Sequence, residues 1–506
     1  MPKSSNLFDL IAARAMKPER MALETGDATA LSYGALLERA GRVANALQDL
    51  GVRPGDRVAA QLDKSADVIA LALGSFRAGA VFLPLNTAYT LAELEYFLGD
   101  AEPALTVCRP VSLAAMRELS HRLGLKAAES LGVARDGTLA ERIAASPAEF
   151  ATVAREKDDL AAILYTSGTT GRSKGAMLSH ENLASNALTL VDAWRFDDAD
   201  RLIHALPVFH SHGLFVAVNV ALMAGATMIY EPRFDASAVV AAMAGATALM
   251  GVPTFYTRLL DHPGLTRAAC AKMRVFISGS APLLAETHAA WRERTGHAIL
   301  ERYGMTETNM ITSNPYDGER RAGTVGFPLP GVSVRVAEPE TGAPVGSGGI
   351  GVIEVKGPNV FKGYWRMPDK TAEEFRADGY FVTGDLGLID ADGYVHIVGR
   401  AKDLVISGGF NVYPKEVEAE IDAIEGVLES AVIGLPHPDF SEGVTAVVVL
   451  RPGAALTEAG VQAALEGRLA KFKAPKRVFF VAELPRNSMG KVQKALLRET
   501  YRDTFR

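Results

Sequence analysis

Residues 165–175 read YTSGTTGRSKG and directly follow the apolar run LAAIL at residues 160–164. Serine, threonine and glycine fill most of this stretch, and its lysine is Lys174. Glycines let a backbone turn tightly and approach a ligand, while amides and hydroxyls supply donors and a lysine supplies a point charge. A strand that ends in such a loop is well suited to surround a phosphate group.

This loop does not have the spacing of a Walker A motif. That motif requires four residues between its first glycine and a Gly-Lys-Ser/Thr triplet, whereas Lys174 lies between Ser173 and Gly175. The ordinary P-loop NTPase is therefore excluded. On composition alone, a plain surface loop remains the alternative.

Around this loop, short apolar runs alternate with helical patterns. The runs are VFLPL (81–85), AAILY (161–165), TALMGVP (247–253) and RVFISGS (274–280). Apolar residues recur at helical spacing over residues 32–50 and Gly51 follows, while Thr90 and Glu93 have the spacing of a capping box. Strands that alternate with helices predict one or more parallel, doubly wound sheets.

The pattern changes twice towards the C-terminus. From about Gly326, short strands are separated by Gly, Pro and Asp-Gly turns, which predicts an antiparallel barrel-like or meander unit. After Arg400, a helix opened by Pro414 and several strands predict a compact α+β unit. We therefore expect an α/β fold with a large N-terminal domain at residues 1–400. That domain would hold the doubly wound sheets and the small β unit, and a small mobile C-terminal domain would span residues 401–506.

The composition excludes several classes of protein. The chain has 506 residues, a net charge of -6 and hydrophobic residues at 48%, as in a well-cored globular protein without the basic excess of a nucleic-acid binder. Cys108 and Cys270 are too few for a disulfide framework and have no metal-ligand spacing. We expect both to be reduced, buried thiols in a cytoplasmic enzyme of small molecules.

Neither a secretory signal nor a membrane span is expected. The N-terminal MPKSSNLFDLIAARA has an acid at Asp9 and no long apolar core. The longest apolar run, Leu214 to Tyr230, is interrupted by Asn219 and Gly225. It predicts a buried helix that runs into a strand.

The phosphate-loop stretch TSGTTGRSKG resembles a signature of the acyl-adenylate-forming superfamily, which contains acyl-CoA synthetases, peptide-synthetase adenylation domains and luciferases. Ser173 stands where the usual form has proline, which alters the stiffness of the loop. Four further motifs of the family follow in order, at residues 301–308 (ERYGMTET), 379–387 (GYFVTGDLG), 399–418 (GRAKDLVISGGFNVYPKEVE) and 485–491 (PRNSMGK). Within the superfamily, LPVFHSHGLFVA (206–217), GVPTFYTRLL (251–260) and residues 301–319 resemble malonyl-CoA synthetases.

The resemblance implies ligation of malonate to coenzyme A through malonyl-AMP, with ATP and CoA as co-substrates and Mg²⁺ as cofactor. The products would be malonyl-CoA, AMP and pyrophosphate, and methylmalonate is a further candidate acid. One alternative is a synthetase for another short-chain carboxylic acid. Another is a non-catalytic nucleotide-binding protein on the same fold.

The resemblance also assigns residues to the nucleotide. The expected ATP-binding residues are Thr166, Ser167, Gly168, Thr169, Thr170, Gly171, Lys174, Ser280, Ala281, Pro282, Glu301, Arg302, Tyr303, Gly304, Met305, Thr306, Asp385, Arg400 and Lys491. Tyr303 would stack on adenine and Asp385 would accept hydrogen bonds from the ribose hydroxyls. Glu307, with Thr166, would hold the metal. Lys491 would bridge the incoming carboxylate and the α-phosphate.

The remaining assignments concern the acid and coenzyme A. His210 would gate the passage between the acyl pocket and the pantetheine tunnel, and Ser278 and Met305 would shape the pocket wall. Arg258 would pair with the second carboxylate of malonate, since a buried charge needs a partner; an exposed helix arginine is the alternative.

Ser407, Gly408 and Gly409 would line the tunnel, for which a plain turn is the alternative. The hinge of the mobile domain would lie at Lys402. A lysine acyltransferase that acts on Lys491 is a candidate regulatory partner, because acylation removes the charge of a lysine.

Overall fold

The structure is a computed structural model that describes residues 4–25, 30–166, 173–407, 410–487 and 490–505. The chain divides into two compact units. Unit 1 comprises Met1–Ser333 and Lys356–Phe381, and unit 2 comprises Val334–Val355 and Val382–Arg506. The domain boundary that the sequence predicts after Arg400 stays a prediction.

The strands of the described chain are β1 (Met21–Thr25), β2 (Ala30–Ser32), β3 (Arg57–Gln61), β4 (Val81–Pro84), β5 (Leu105–Cys108), β6 (Ala128–Ser130), β7 (Leu160–Thr166), β8 (Lys174–Ser179), β9 (Arg201–His204), β10 (Thr227–Tyr230), β11 (Ala248–Gly251), β12 (Val275–Ser278), β13 (Leu300–Met305), β14 (Asn309–Ser313), β15 (Phe327–Pro328), β16 (Ser333–Ala337), β17 (Gly351–Lys356), β18 (Phe381–Ile389), β19 (Val395–Arg400), β20 (Val405–Ser407), β21 (Phe410–Val412), β22 (Val427–His437), β23 (Ser441–Leu450) and β24 (Arg477–Val481).

The α-helices are α1 (Leu7–Arg14), α2 (Tyr33–Asp49), α3 (Ala66–Arg77), α4 (Leu91–Ala101), α5 (Leu113–Arg122), α6 (Thr138–Ala145), α7 (His180–Ala193), α8 (Asn219–Ala224), α9 (Ala236–Met243), α10 (Pro253–Leu260), α11 (Ala285–Thr295), α12 (Pro368–Glu373), α13 (Pro414–Asp422), α14 (Glu458–Ala464) and α15 (Lys494–Thr500). Short 3₁₀ turns occur at Pro110–Ser112 and Ala401–Asp403, and a π-helix at His212–Val218. Among the described helices, none combines the length and apolar composition that a membrane crossing requires.

Unit 1 contains two large sheets. The first has nine strands in the order β15-β14-β13-β12-β11-β9-β10-β1-β2, and neighbours from β13 through to β1 run parallel. The second has six strands in the order β6-β5-β3-β4-β7-β8, and its only antiparallel pair in the described chain is β7 with β8. The prediction of more than one parallel, doubly wound sheet is confirmed.

Local sequence signals determine where the helices of unit 1 begin. α2 begins after Ser32, whose side chain accepts a hydrogen bond from the Ala35 amide, as expected for an N-cap. α4 begins at Thr90 with the predicted capping box to Glu93. The apolar run from residue 214 forms the buried π-helix, α8 and then β10, as predicted for a helix that runs into a strand.

Unit 2 contains two smaller sheets. One is a meander in the order β16-β17-β18-β19, in which β18 and β19 are antiparallel. The other has the order β21-β20-β23-β22, with β24 parallel to β23. α13 begins at Pro414 and buries Val417 and Ile421 against this sheet. The predicted fold class, α/β with a small β unit and a small α+β C-terminal part, is confirmed.

This topology determines where a site can form. β9, β11, β12 and β13 are neighbours that run parallel, so their carboxyl ends meet at one edge of the sheet. Ligands of open α/β sheets bind at that edge. The carboxyl ends of these strands and the segments that follow them hold the predicted adenine, acyl-pocket and metal residues.

Candidate active site

The two ends of the predicted phosphate loop lie side by side. β7 and β8 form an antiparallel pair in which Thr166 is opposite Lys174, and the Thr166 hydroxyl lies 3.5 Å from the Lys174 carbonyl oxygen. The tip of the loop falls outside the described residues, and so do the predicted phosphate ligands within it: Ser167, Gly168, Thr169, Thr170 and Gly171. Thr166 and Lys174 can therefore contact the same anion.

Lys174 belongs to a polar cluster that the sequence did not predict. Its ammonium lies 2.9 Å from Glu374 Oε1 and 3.9 Å from the centre of the Tyr364 ring. The Tyr364 hydroxyl lies 2.6 Å from Glu374 Oε2 and 3.1 Å from Glu307 Oε1. The structure thus connects the loop lysine to the predicted metal carboxylate through one tyrosine and one further glutamate.

Burial and charge act on the acids of this cluster. Burial, followed by the charge of Glu307, raises the pKa of Tyr364 far above its ordinary value, so its hydroxyl remains a donor. Burial also pushes the pKa of Glu374 upward, but the hydrogen bonds from Lys174 and Tyr364 and the charges of Lys174 and Lys370 together outweigh it, and the net pKa is lowered. Glu374 is therefore ionised at neutral pH.

Glu307 fits the role of a magnesium ligand. It lies in the turn between β13 and β14 and is buried, with 5% of its surface exposed. Within the described ranges, no group of three His, Cys, Asp or Glu side chains could hold a metal. Mg²⁺ in nucleotide sites is usually held by one or two carboxylates together with phosphate oxygens, and a single buried carboxylate beside the phosphate-loop lysine matches this donor set.

The segment after β12 carries the predicted adenine residues. Ser280 has a left-handed backbone with φ 72°, and so has Asn309, with φ 49°, in the neighbouring hairpin. Such conformations cost free energy in non-glycine residues and are concentrated at ligand sites. Ala281 and Tyr303 are half-buried, whereas Pro282 is exposed.

Two histidines follow β9 at the same edge. His204 ends the strand, and its Nε2 lies 2.8 Å from the Gly213 carbonyl oxygen inside the π-helix. His210 Nδ1 accepts a hydrogen bond from the His212 amide at 3.3 Å, and His212 Nδ1 lies 3.2 Å from the Ser280 hydroxyl. Glycine is required at 213, because a Cβ there would lie 2.0 Å from the Pro207 carbonyl oxygen. π-Helical turns are frequent at functional sites.

Arg302 is a buried cation with unpaired donors. It is 3% exposed, and its Nε and Nη2 are buried without a hydrogen-bond partner in the described part of the chain. Gly279 lies against its guanidinium: a Cβ on Gly279 would be 2.4 Å from Cζ. Burial lowers the pKa of Arg302 to about 9, which nearby Tyr256 partly offsets. A buried guanidinium with unpaired donors requires an anion as its partner.

Arg258, the predicted carboxylate ligand, contrasts with Arg302 in its exposure. It is exposed in the last turn of α10, two residues after buried Tyr256. Tyr256 and Arg302 are close enough to shift each other's pKa. The sequence assigned Arg302 to ATP, and no sequence signal indicated that its guanidinium is buried.

The remaining predicted residues of unit 1 lie along β12 and β13 or just after them. Ser278 is buried, and its hydroxyl has no partner within the described ranges. The Glu301 carboxylate accepts a hydrogen bond from the Gly323 amide at 3.3 Å. Half-buried positions are Gly304, Met305 and Thr306.

In unit 2, the predicted ribose carboxylate and arginine form an ion pair. Asp385 and Arg400 are opposite each other on β18 and β19, and Arg400 Nε lies 2.7 Å from Asp385 Oδ1. Asp385 is buried. The two motifs that carry these residues are thus joined by strand pairing, which their separation in sequence did not indicate.

Lys491, the predicted catalytic lysine, is exposed at the end of a short loop in unit 2. Its amide donates to Asn487 Oδ1 at 3.0 Å, and the Asn487 amide donates to the Lys491 carbonyl oxygen at 3.0 Å. Arg486 pairs with Glu429 on β22 and donates to the Gly490 carbonyl oxygen. Burial of the ammonium group, followed by the charge of Arg400, lowers the pKa of Lys491, and the charge of Asp385 partly offsets this. The lysine therefore projects from an anchored loop near the ribose residues of the same unit.

The predicted tunnel and hinge residues are also in unit 2. Ser407 is buried at the end of β20, and Lys402 is exposed in the short 3₁₀ turn after Arg400. Gly408 and Gly409 lie outside the described residues.

Comparisons with known proteins identify the family of the chain. The family described as AMP-binding enzyme matches residues 11–365, and the AMP-binding enzyme C-terminal domain matches residues 416–491. A feruloyl-CoA synthase of an Amycolatopsis species is 37% identical over 96% of this chain and 97% of its own. A malonate–CoA ligase of Arabidopsis thaliana is 33% identical over 98% and 87%. The crystal structure of ATP-bound MatB from Rhodopseudomonas palustris is 61% identical, covers 99% of this chain and 100% of its own, and has a TM-score of 0.98.

Proposed function

Because the chain belongs to the AMP-binding enzyme family and carries its C-terminal domain, we propose that it ligates malonate to coenzyme A. It is an AMP-forming acid–CoA ligase, which joins a carboxylic acid to CoA through an acyl-adenylate. The choice of malonate is the proposal.

The reaction has two steps. A carboxylate oxygen attacks the α-phosphorus of ATP, the bond to the β-phosphate breaks, and pyrophosphate leaves. The thiol sulfur of coenzyme A then attacks the acyl carbonyl, loses its proton, and displaces AMP. Forming the mixed anhydride turns a poor acyl donor into a good one.

In the first step, the residues of unit 1 act on the phosphates. Thr166 and Lys174, which are cross-strand neighbours, hold the β- and γ-phosphate oxygens. Glu307 and Thr166 would hold Mg²⁺, which neutralises the charge that builds up on the departing pyrophosphate. The other predicted phosphate ligands, in the tip of the loop, complete this proposal.

A second set of residues would act on the nucleoside. Tyr303 and residues 280–282 contact adenine, and Asp385 accepts from the ribose hydroxyls with Arg400 beside it. Lys491 then bridges the carboxylate and the α-phosphate and stabilises the negative charge of the transition state. Its exposure at the end of an anchored loop supports this role.

The second step requires a different arrangement. The predicted mobile domain, residues 401–506, would turn about Lys402, withdraw Lys491, and bring the segment from Ser407 through Gly408 and Gly409 to the pantetheine tunnel. His210 would gate the passage from this tunnel to the acyl pocket.

The observation that carries the choice of malonate is the buried Arg302. A monocarboxylate is consumed entirely at the reacting end, so it leaves this guanidinium unpaired. The second carboxylate of malonate can accept hydrogen bonds from Nε and Nη2, which lie side by side on one edge of the guanidinium and form the fork that binds carboxylates. Arg258, which the sequence assigns to this carboxylate, would add a second cation, with Ser278 and Met305 in the pocket wall.

A panel of carboxylates tests this choice. We expect thioester formation with malonate, and with methylmalonate more slowly, at a kcat/KM at least about a hundredfold above acetate or propionate, since a pocket built to bind a polar group rejects analogues that lack it. Equal rates with acetate and malonate would leave the ligase standing and favour the synthetase for another short acid. If no acid on the panel releases pyrophosphate from ATP, the chain is a nucleotide-binding protein instead.

Two further parts of the proposal concern the cellular compartment and the regulation of the enzyme. Cys108 and Cys270 are both free and buried, which supports work in the reducing cytoplasm. Lys491 is exposed, so a lysine acyltransferase could reach it and remove its charge. A chemically acylated sample that kept full adenylation activity would exclude this control.

A further inference from the structure

Glu374 makes a contact that the proposed reaction does not use. Its Oε1 lies 2.9 Å from the ammonium of Lys174, the cation that the proposal assigns to the phosphates of ATP. Both side chains are mostly buried, with exposed fractions of 16% for Lys174 and 21% for Glu374. In this arrangement the Glu374 carboxylate forms an ion pair with the ammonium group that a phosphate oxygen would otherwise contact.

Glu374 also has other partners that remain if Lys174 leaves. Lys370 Nζ lies 3.4 Å from the same oxygen, Oε1, and the Tyr364 hydroxyl lies 2.6 Å from Oε2. Lys370 is more exposed than Lys174, at 39% against 16%. When Lys174 turns away, the Glu374 carboxylate therefore keeps the Lys370 ammonium and the Tyr364 hydroxyl as partners. Release of Lys174 does not leave a buried charge without a partner.

The support around Glu374 is rigid. It caps the C-terminal end of α12, and the Tyr364 amide donates to Thr371 Oγ1 at 2.9 Å within this segment. Residues 362–365 pair with β8 through Lys362 to Met177 and Trp365 to Gly175 backbone hydrogen bonds of 2.8 Å each. The strand that carries Lys174 and the segment that carries Glu374 are thus fixed to each other, and the lysine side chain is the part that can move.

We infer that Glu374 is a positioning residue that holds Lys174 in the nucleotide-free enzyme. When ATP binds, Lys174 leaves Glu374 and pairs with the phosphates, while Lys370 remains paired with Glu374. This inference rests on the proposed role of Lys174. It makes Glu374 an internal competitor of the polyphosphate. If Glu374 had only a structural role, loss of its charge would instead weaken ATP binding.

Removing the charge of Glu374 should therefore tighten nucleotide binding. In Glu374→Gln, the amide oxygen still accepts from Tyr364 but no longer attracts Lys174. We expect the Kd of Mg·ATP, measured by calorimetry on the full chain, and the KM for ATP in ATP–pyrophosphate exchange to fall about two- to fivefold, the range that partly exposed ion pairs support. Lys370→Met should shift both in the opposite direction, since Lys174 then becomes the only lysine that pairs with Glu374 in the described contacts.

The double variant tests whether Glu374 affects ATP binding through its contact with Lys174. In a Lys174→Met background, Glu374→Gln should leave the KM for ATP unchanged, because the two residues act through one contact. Asp158→Asn is the matched control: it removes one negative charge from an exposed pair with Lys362 and should not alter ATP binding.

The outcomes separate this inference from the proposed function. If Lys174→Met alone leaves ATP affinity intact, the phosphate role of Lys174 is wrong. If Lys174→Met weakens ATP binding but Glu374→Gln weakens it too, or still tightens it in the Lys174→Met background, the competitor role of Glu374 is overturned and the rest of the site stands.

Discussion

Replacing Arg302 by methionine should increase stability and abolish the preference for malonate at the same time. Methionine approximates the length of the arginine side chain without its charge, so the site stays filled. Arg302 is fully buried, and two of its nitrogens have no partner in the described chain. Hydrophobic replacements of buried ion pairs are often neutral or stabilising by about 1–4 kcal/mol, and a buried charge without a partner is less favourable than a paired one. We therefore expect Arg302→Met to unfold at a higher temperature than the parent in the absence of ligands.

The catalytic cost follows from the same contact. Truncating one partner of a buried, hydrogen-bonded charge pair costs about 2–5 kcal/mol, which corresponds to about 30-fold to several-thousand-fold. This loss should appear in kcat/KM for malonate. The kcat/KM for acetate, which has no second carboxylate, should change little or rise, so the ratio of the two becomes the diagnostic quantity.

Two assays on the same preparations measure both effects. Thermal unfolding without ligands, and then with malonate, reports stability and binding. Malonate should raise the midpoint of the parent, because a ligand that binds only the native state stabilises it, and this increase should be absent in Arg302→Met. CoA-thioester formation with malonate and with acetate gives the ratio. Arg292→Met, at an exposed position on α11, is the control for loss of a positive charge.

Two results would refute the reasoning. If Arg302→Met keeps the parent's ratio of malonate to acetate, the guanidinium does not bind the second carboxylate. If the variant loses both acids equally and its KM for ATP rises, Arg302 serves the nucleotide, as the sequence interpretation had it.

Three further changes test other parts of the site. Lys491→Ala should reduce ATP–pyrophosphate exchange by at least about a hundredfold, as for loss of one electrostatic stabiliser of a transition state; undiminished exchange would contradict its catalytic role. Asp385→Asn should raise the KM for ATP about tenfold, since an amide offers one acceptor where the carboxylate offers two, and an unchanged KM would remove Asp385 from the ribose site. Asp422 has its pKa raised to about 6, mainly by burial. The folded state then binds more protons than the unfolded state between about pH 4 and 6, so stability falls as pH rises through this window. Asp422→Asn, which keeps the acceptor for the Ser430 hydroxyl, should stabilise the protein at pH 7 by up to about 3 kcal/mol and flatten that pH dependence in denaturant titrations.

The helix and strand pattern was readable from the sequence because it depends on local chemistry. Ser32 and Thr90 cap helices wherever the chain folds around them, since an N-cap needs only its own hydroxyl and an amide three residues on. Likewise, the short apolar runs that alternate with helical patterns predicted parallel sheets. The number of sheets and the order of their strands were not predicted, because strand pairing depends on contacts between residues far apart in the chain.

The candidate site was predicted unevenly for the same reason. The motifs named Lys174, Glu307, Asp385 and Lys491, because each lies in a short stretch of distinctive composition. Glu374 was not found: TAEEF has no motif, and only the pairing of the segment around Tyr364 with β8 brings this carboxylate to Lys174.

The sequence by itself therefore determined the family, the two-step chemistry it implies, and the residue types that the chemistry needs, because these are properties of contiguous stretches. Only the tertiary structure decided which cations are buried and which charges are paired. The sequence does not distinguish Arg258 from Arg302. Arg258 lies exposed on α10, whereas Arg302 is buried against Gly279 and two of its donors have no partner among the described residues. Burial is set by what the whole fold places around a side chain, and it is burial that makes an arginine require an anion.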